Sequence, residues 1–252
     1  DEDVTKTASF SNITFSQPGN HTYKFIVSEV QPTGDGVTQN EQGQSVKGGI
    51  TYDNSQKTVV VSVKDDGNGN LTAELGEGGD ELVFTNTYAT GSTTITSTDL
   101  GLNGTKELTG RTWENGDSFT FLLTPGVCEN PNGTQRTSDE VAATMPATKS
   151  VTITPAPDDS ATDGDTAVFT FAAEGAETFT FTKPGTYRYL IEEENPYVSD
   201  GGSGIIGVNY DETRYRVTIE VTDKGQGGLE VTEHAICLLY TSPSPRDMRR
   251  SR

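Results

Sequence analysis

PGTYRYLIEE at residues 184–193 has a counterpart early in the chain, PGNHTYKFIVSE at 18–29. Aligned from the threonine, Thr22-Tyr-Lys-Phe-Ile-Val-Ser-Glu29 matches Thr186-Tyr-Arg-Tyr-Leu-Ile-Glu-Glu193. Upstream of each copy stands a short phenylalanine strand, expected at Phe10–Phe15 and at Phe179–Phe181. Downstream, ITYDNSQKTVVVSVKDDGNGNLTAEL at 50–75 matches VNYDETRYRVTIEVTDKGQGGLEV at 208–231, with Tyr52-Asp53 facing Tyr210-Asp211 and Leu71 facing Leu229. The segments keep the same order in both copies, so the chain is an internal duplication.

The repeated segments alternate with the period of a strand. Tyr215, Val217, Ile219 and Val221 share one face, with Arg216, Thr218 and Glu220 opposite. Phe119, Phe121 and Leu123 follow the same rule, as do Val59, Val61 and Val63. DDGNGN at 65–70 and DKGQGG at 223–228 are hairpin signals. No segment sustains a helical period. The pattern predicts an all-β fold of antiparallel sandwiches repeated in tandem.

Composition agrees with thin sandwiches. Hydrophobic residues are 31% of 252, and 28 glycines supply turns. A formal net charge of −19 argues against nucleic acid as a partner, because phosphates would be repelled. No apolar run is long enough to span a membrane. Cys128 and Cys237 are too few to staple two secreted domains.

The expected organisation is the C-terminal part of a first repeat at 1–89, a Ser/Thr-rich linker at 90–101, and a second repeat at 102–236 without its last strand. Residues 237–247, CLLYTSPSPRD, back-translate into a transposase-type sequencing adapter, so 237–252 are expected to be an artefact. That tail holds four Arg and one Asp, leaving 14 basic and 36 acidic residues, a net of −22. Cys237 is then not native, and Cys128 has no partner. Signal peptide and anchor are expected to lie outside the fragment.

Four motifs recur in order. Lys106-Glu-Leu108-Thr-Gly110-Arg111 opens the second copy, Gly185-Thr-Tyr187-Arg-Tyr189-Leu-Ile191-Glu-Glu193 is its middle, and the Tyr-Asp strand follows. Phe84-Thr-Asn86-Thr-Tyr88 closes the first copy. Together they resemble the streptococcal-type pilin isopeptide-linkage repeat of Gram-positive surface proteins. The resemblance implies an immunoglobulin-like sandwich (of the Cna-B kind) whose first and last strands lie side by side. A Lys on one condenses with an Asn on the other, assisted by an acid. Carried over, Lys106 is the nucleophile and Glu193 the catalytic acid of the second repeat, while Glu29 and Asn86 are the acid and the electrophile of the first. The partner Lys of the first repeat and the partner Asn of the second are expected to be missing from the fragment. Choosing Glu193 from Glu192-Glu193-Glu194 rests on its parity with Ile191, as Glu29 shares parity with Val27; Phe84, Asn86 and Tyr88 share one face, so Asn86 is expected to be buried.

The chemistry accounts for the residue types. An amine attacks only when neutral, and an apolar interior disfavours the ammonium form. A protonated carboxyl can polarise the Asn carbonyl and shuttle protons as ammonia leaves. This is single-turnover maturation, so no enzyme and no cofactor are expected. By position alone, Lys106 reads as an exposed strand lysine and the glutamate run as a solvated strand end.

The remaining features are bland. Asp65-Asp66 and DDSATDGD at 158–165 lack the spacing of a calcium loop. His21 and His234 are far apart with no matching ligand cluster, so no metal is expected. Trp113 reads as a core or rim aromatic. The resemblance implies a wall-anchored pilus shaft or adhesin stalk whose partners are other subunits or a host surface ligand. A ligand-binding module using the 125–165 insertion, whose Pro, Ser, Thr and Asp content suits an adhesive loop or a mere spacer, and an accessory domain of a larger secreted enzyme, are the alternatives.

Overall fold

The computed structural model describes residues 4–76, 82–155, 166–199 and 204–239. The chain divides near Thr90 into two compact units. The fold is all-β, as the alternation required, with two short helices.

The first unit contains β1 (His21–Ser28), β2 (Thr38–Gln39), β3 (Ser45–Lys47), β4 (Ile50–Thr51), β5 (Gln56–Asp65), β6 (Leu71–Leu75) and β7 (Thr87–Tyr88). They form two sheets, in the orders β1-β5-β6 and β2-β3-β4-β7. Antiparallel register sets Tyr23 opposite Val61 and Phe25 opposite Val59, so the apolar parity of both strands falls on one face. Among the described residues, Val63 is this unit's one fully buried large apolar side chain, and Tyr23, Phe25 and Val59 stay half-buried. In the β5–β6 hairpin, Asp65 accepts from Gly67 N–H, and Asp66 accepts from Asn68 and Asn70 N–H.

Two expectations for this unit fail. Residues 4–20 contain no strand, and Phe10 and Ile13 are exposed. The reason is parity: Phe10 and Phe15 are five apart and cannot share a face, whereas Phe179 and Phe181 can. In the closing segment 82–90 the strand is confined to Thr87–Tyr88, with Ala89 N–H donating to the Gly49 carbonyl, and residues 82–86 belong to no ladder.

The second unit contains β8 (Thr93–Thr96), β9 (Asn103–Glu107), β10 (Phe119–Pro125), α1 (Ser138–Ala142), β11 (Ser150–Ile153), β12 (Thr166–Thr170), β13 (Thr178–Phe181), β14 (Gly185–Glu193), α2 (Pro196–Ser199), β15 (Arg214–Gly225) and β16 (Gly228–Leu239). A five-stranded sheet of order β11-β10-β14-β15-β16 accompanies the pairs β12-β9 and β13-β8. Their inward parities meet in one core: Phe119, Phe121 and Leu123 of β10, Phe179 and Phe181 of β13, Tyr187, Tyr189 and Ile191 of β14, and Val217, Ile219 and Val221 of β15, together with Trp113. Ring pairs bind the layers, with Phe121 stacked on Phe169 at 3.7 Å and Phe179 against Tyr189 at 4.9 Å. The turn between β15 and β16 puts both Gln226 and Gly227 in the left-handed region, as a two-residue hairpin requires.

The insertion expected as a loop or spacer is folded wherever it is described. A capping box between Thr137 and Glu140 starts α1. Val141 and Cys128 are buried, and Ser150–Ile153 extends the sheet beside β10. Its Pro, Ser, Thr and Asp content hid these few well-placed apolar anchors. The acidic stretch 158–165 lies outside the described residues, as do 240–252 of the expected adapter segment.

Candidate functional site

Strand β14 is buried at every second residue, and that alternation carries Glu193 inward at its last position. Glu193 is 9% exposed, whereas its neighbour Glu192 pairs with Arg214 near the surface. Strand β9 runs antiparallel to β12, with Lys106 opposite Ala167. Lys106 is the one fully buried residue of β9, at 8% exposure. Gly104 lets the strand come close, because a Cβ there would lie 2.5 Å from the Phe169 ring. Lys106 Nζ donates to Glu193 Oε2 at 2.8 Å and sits 4.8 Å from the centre of the Phe119 ring. The amine is therefore desolvated on one side by an aromatic face and bonded on the other to a carboxyl that can take its proton.

Glu193 is not saturated. Its Oε2 also accepts from Asp211 N–H at 3.1 Å, but its Oε1 is buried without a hydrogen-bond partner. A buried, unpaired carboxyl oxygen is unfavourable and marks a place for another polar group. A groove of about 580 Å3 opens beside the pair, lined among others by Thr105, Lys106, Phe121, Ile191, Glu193 and Asp211.

The first unit shows the complementary arrangement. Glu29 follows β1 on its inner parity, and Glu29 Oε1 accepts from Asn86 Nδ2 at 2.6 Å. Here too the second carboxyl oxygen, Oε2, is buried and unpaired. Asn86 Oδ1 accepts from Asp53 N–H at 2.8 Å. The Asp53 carboxyl in turn accepts from Ser55 N–H at 2.8 Å and Thr85 N–H at 3.1 Å. Its pKa lies below the ordinary carboxylate value, chiefly through the Ser55 side chain and then through the Ser55 and Thr85 amides. The Ser55 hydroxyl stands beside that carboxylate without closing a hydrogen bond of regular geometry.

The structure thus joins Lys106 to Glu193 in one unit and Asn86 to Glu29 in the other. The buried Asn expected in the closing segment is corrected: Asn86 is exposed, because residues 82–86 enter no sheet and, among the described residues, Glu29 and Asp53 are the partners of its side chain. The sequence reading did not single out Asp53, Asp211 or Phe119 for this site. The Tyr52-Asp53 and Tyr210-Asp211 match was the available signal, since it set one residue type at one place in both copies.

Among the described residues, no three His, Cys, Asp or Glu side chains stand where they could share a metal ion. No helix among them is long and apolar enough to cross a membrane.

A search of the curated proteins found no match. The family described as FctA, Spy0128-like isopeptide containing domain, matches residues 1–89 and again 102–237. With these two stretches together covering most of the chain, the protein belongs to the FctA family of pilin-type structural domains that contain isopeptide bonds.

Proposed function

We propose that the chain is part of a Gram-positive pilus shaft or adhesin stalk, exported and wall-anchored, whose repeats are each sealed by an autocatalytic Lys–Asn isopeptide bond. The repeats are taken as 1–89 and 102–236, joined by 90–101, with 237–252 foreign to the native protein. In the second repeat Lys106 is the nucleophile and Glu193 the acid. In the first, Glu29 is the acid and Asn86 the electrophile. The observation that carries this reading is the buried Lys106–Glu193 contact, with an unpaired carboxyl oxygen beside an open groove. A strand bearing an Asn would supply both the missing partner of Glu193 Oε1 and the carbon that Lys106 attacks. The hydrogen bond from Asn86 Nδ2 to Glu29 Oε1 in the first repeat supports the same pairing of acid and Asn. A bond between the two end strands would take tension directly, which suits a shaft with so small a core. Its partners are neighbouring subunits or a host surface ligand.

The test is the intact mass of the chain rebuilt with a second copy of residues 82–90 directly after Ile236, in place of 237–252. Loss of one ammonia in this chain, abolished by Glu193→Ala and by Lys106→Met, is the expected result. A folded chain that keeps its full mass would reject the assignment.

A further inference from the structure

We propose that the backbone N–H of Asp53, and of Asp211 in the second repeat, is the oxyanion donor of the cross-linking reaction, and that each Asp carboxylate is the device that aims it. This inference rests on the cross-link reading and deepens it: the acid and the oxyanion donor become separate groups.

The two copies supply independent observations. In Tyr52-Asp53-Asn54-Ser55, the Asp53 carboxylate accepts from Ser55 N–H at 2.8 Å. In Tyr210-Asp211-Glu212-Thr213, the Asp211 carboxylate accepts from Thr213 N–H at 2.8 Å. Both are Asx turns, and each leaves the N–H of its own Asp directed into the site. In the first unit that N–H donates to Asn86 Oδ1. In the second it donates to Glu193 Oε2. The orientation of the Asn86 amide follows from the chemistry. A backbone N–H only donates, so the atom facing it is the carbonyl oxygen, and the NH2 group faces Glu29.

The division of labour follows. The neutral lysine Nζ attacks the Asn Cγ, a C–N bond forms, and the carbonyl electron pair moves onto Oδ1, where the Asp N–H holds the developing charge. The carboxyl, holding the first proton taken from the lysine, delivers it to Nδ2 and then accepts the second proton from the attacking nitrogen. The Cγ–Nδ2 bond breaks, and ammonia leaves from the side on which Glu29 contacts Asn86. One amine and one primary amide give one secondary amide and one ammonia, with no other reactant. Asp53 Oδ2 also accepts from Thr85 N–H, one residue before the electrophile, so the same carboxylate tethers the attacked segment.

The experiment uses the rebuilt chain with residues 82–90 after Ile236 and follows the rate of ammonia loss by intact mass after refolding. Replacing Asp211 by its α-hydroxy counterpart swaps the N–H for an ester oxygen and keeps the carboxylate. The expected result is sealing slowed about 100-fold, as for loss of one oxyanion donor. Asp211→Ala is also slow, and Asp211→Asn, which still accepts from Thr213 N–H, recovers most of the rate. A folded ester variant that seals at the parent's rate overturns this proposal alone. A folded parent that never loses ammonia overturns the cross-link reading and this proposal with it. Should the ester variant not fold, amide hydrogen exchange at Asp53 in the 252-residue chain decides: it is protected in the parent and released by Asn86→Ala, and equal exchange in both overturns the proposal.

Discussion

Lys106 and Glu193 stand 87 residues apart in sequence, yet their side chains meet at 2.8 Å and are almost wholly withdrawn from solvent. Breaking such a pair on one side strands a charge in the interior. Glu193→Ala is therefore expected to destabilise the second unit by about 3 kcal/mol. The double variant Lys106→Met/Glu193→Leu should regain most of that loss, because no charge is left buried. Urea unfolding of the three proteins checks it, and a double variant weaker than Glu193→Ala would contradict the account.

Gly185 adopts φ +144, and a Cβ built there would lie 2.3 Å from the Glu129 carbonyl oxygen. Glu129 and Thr186 bridge the insertion to the start of β14 at this point. Gly185→Ala must move backbone, so a loss of more than about 2 kcal/mol is expected. Gly133→Ala, also at positive φ but with open space around it, should cost less. Thermal unfolding of the two variants would rank them.

Arg111 grips the buried Asp117 through two hydrogen bonds of 2.8 Å each. The guanidinium, with the Glu114 N–H in support, holds the Asp117 carboxyl below the ordinary 3.8, although burial opposes the shift. A lowered carboxyl favours folding above its unfolded value, and that contribution is lost as pH falls through the lowered folded value. Stability should therefore decline on acidification below about 4, and Asp117→Asn should flatten that slope while costing about 2 kcal/mol near neutrality. An unchanged acid slope in the variant would assign the effect to other carboxylates.

Cys128, near the start of the insertion, is buried, and its sulfur receives the Arg188 N–H at 3.0 Å. Burial raises the thiol pKa above 9.0, so the reactive thiolate is scarce. Alkylation in native buffer should leave Cys128 untouched, and urea should expose it. Rapid native labelling, located by peptide mapping, would show that the insertion opens readily.

Much of this molecule was legible before any coordinates. Period-two alternation marked the strands, and the duplication marked two copies of them. Parity with Ile191 and Val27 singled out Glu193 and Glu29, because every second residue of a half-buried strand must face inward. What escaped was what parity does not encode. Phe10 and Phe15 looked like a strand by composition, although their spacing sets them on opposite faces. The insertion was judged by its polar majority, while Cys128, Val141 and Val151 decide how it packs. Asp53 and Asp211 act through backbone N–H groups, and no residue type announces where its amide points.

The run Glu192-Glu193-Glu194 bears on when the chemistry can happen. A one-residue slip of β14 would still offer a carboxyl at the inner position, so the acid cannot report the register. Tyr187, Tyr189 and Ile191 can, because the same slip would turn all three outward into water. Fidelity in this strand is delegated to aromatic burial, which must be complete before the amine and the carboxyl are dry. If sealing follows, it acts as a ratchet: a covalent record, written once, that this copy has already reached its native arrangement.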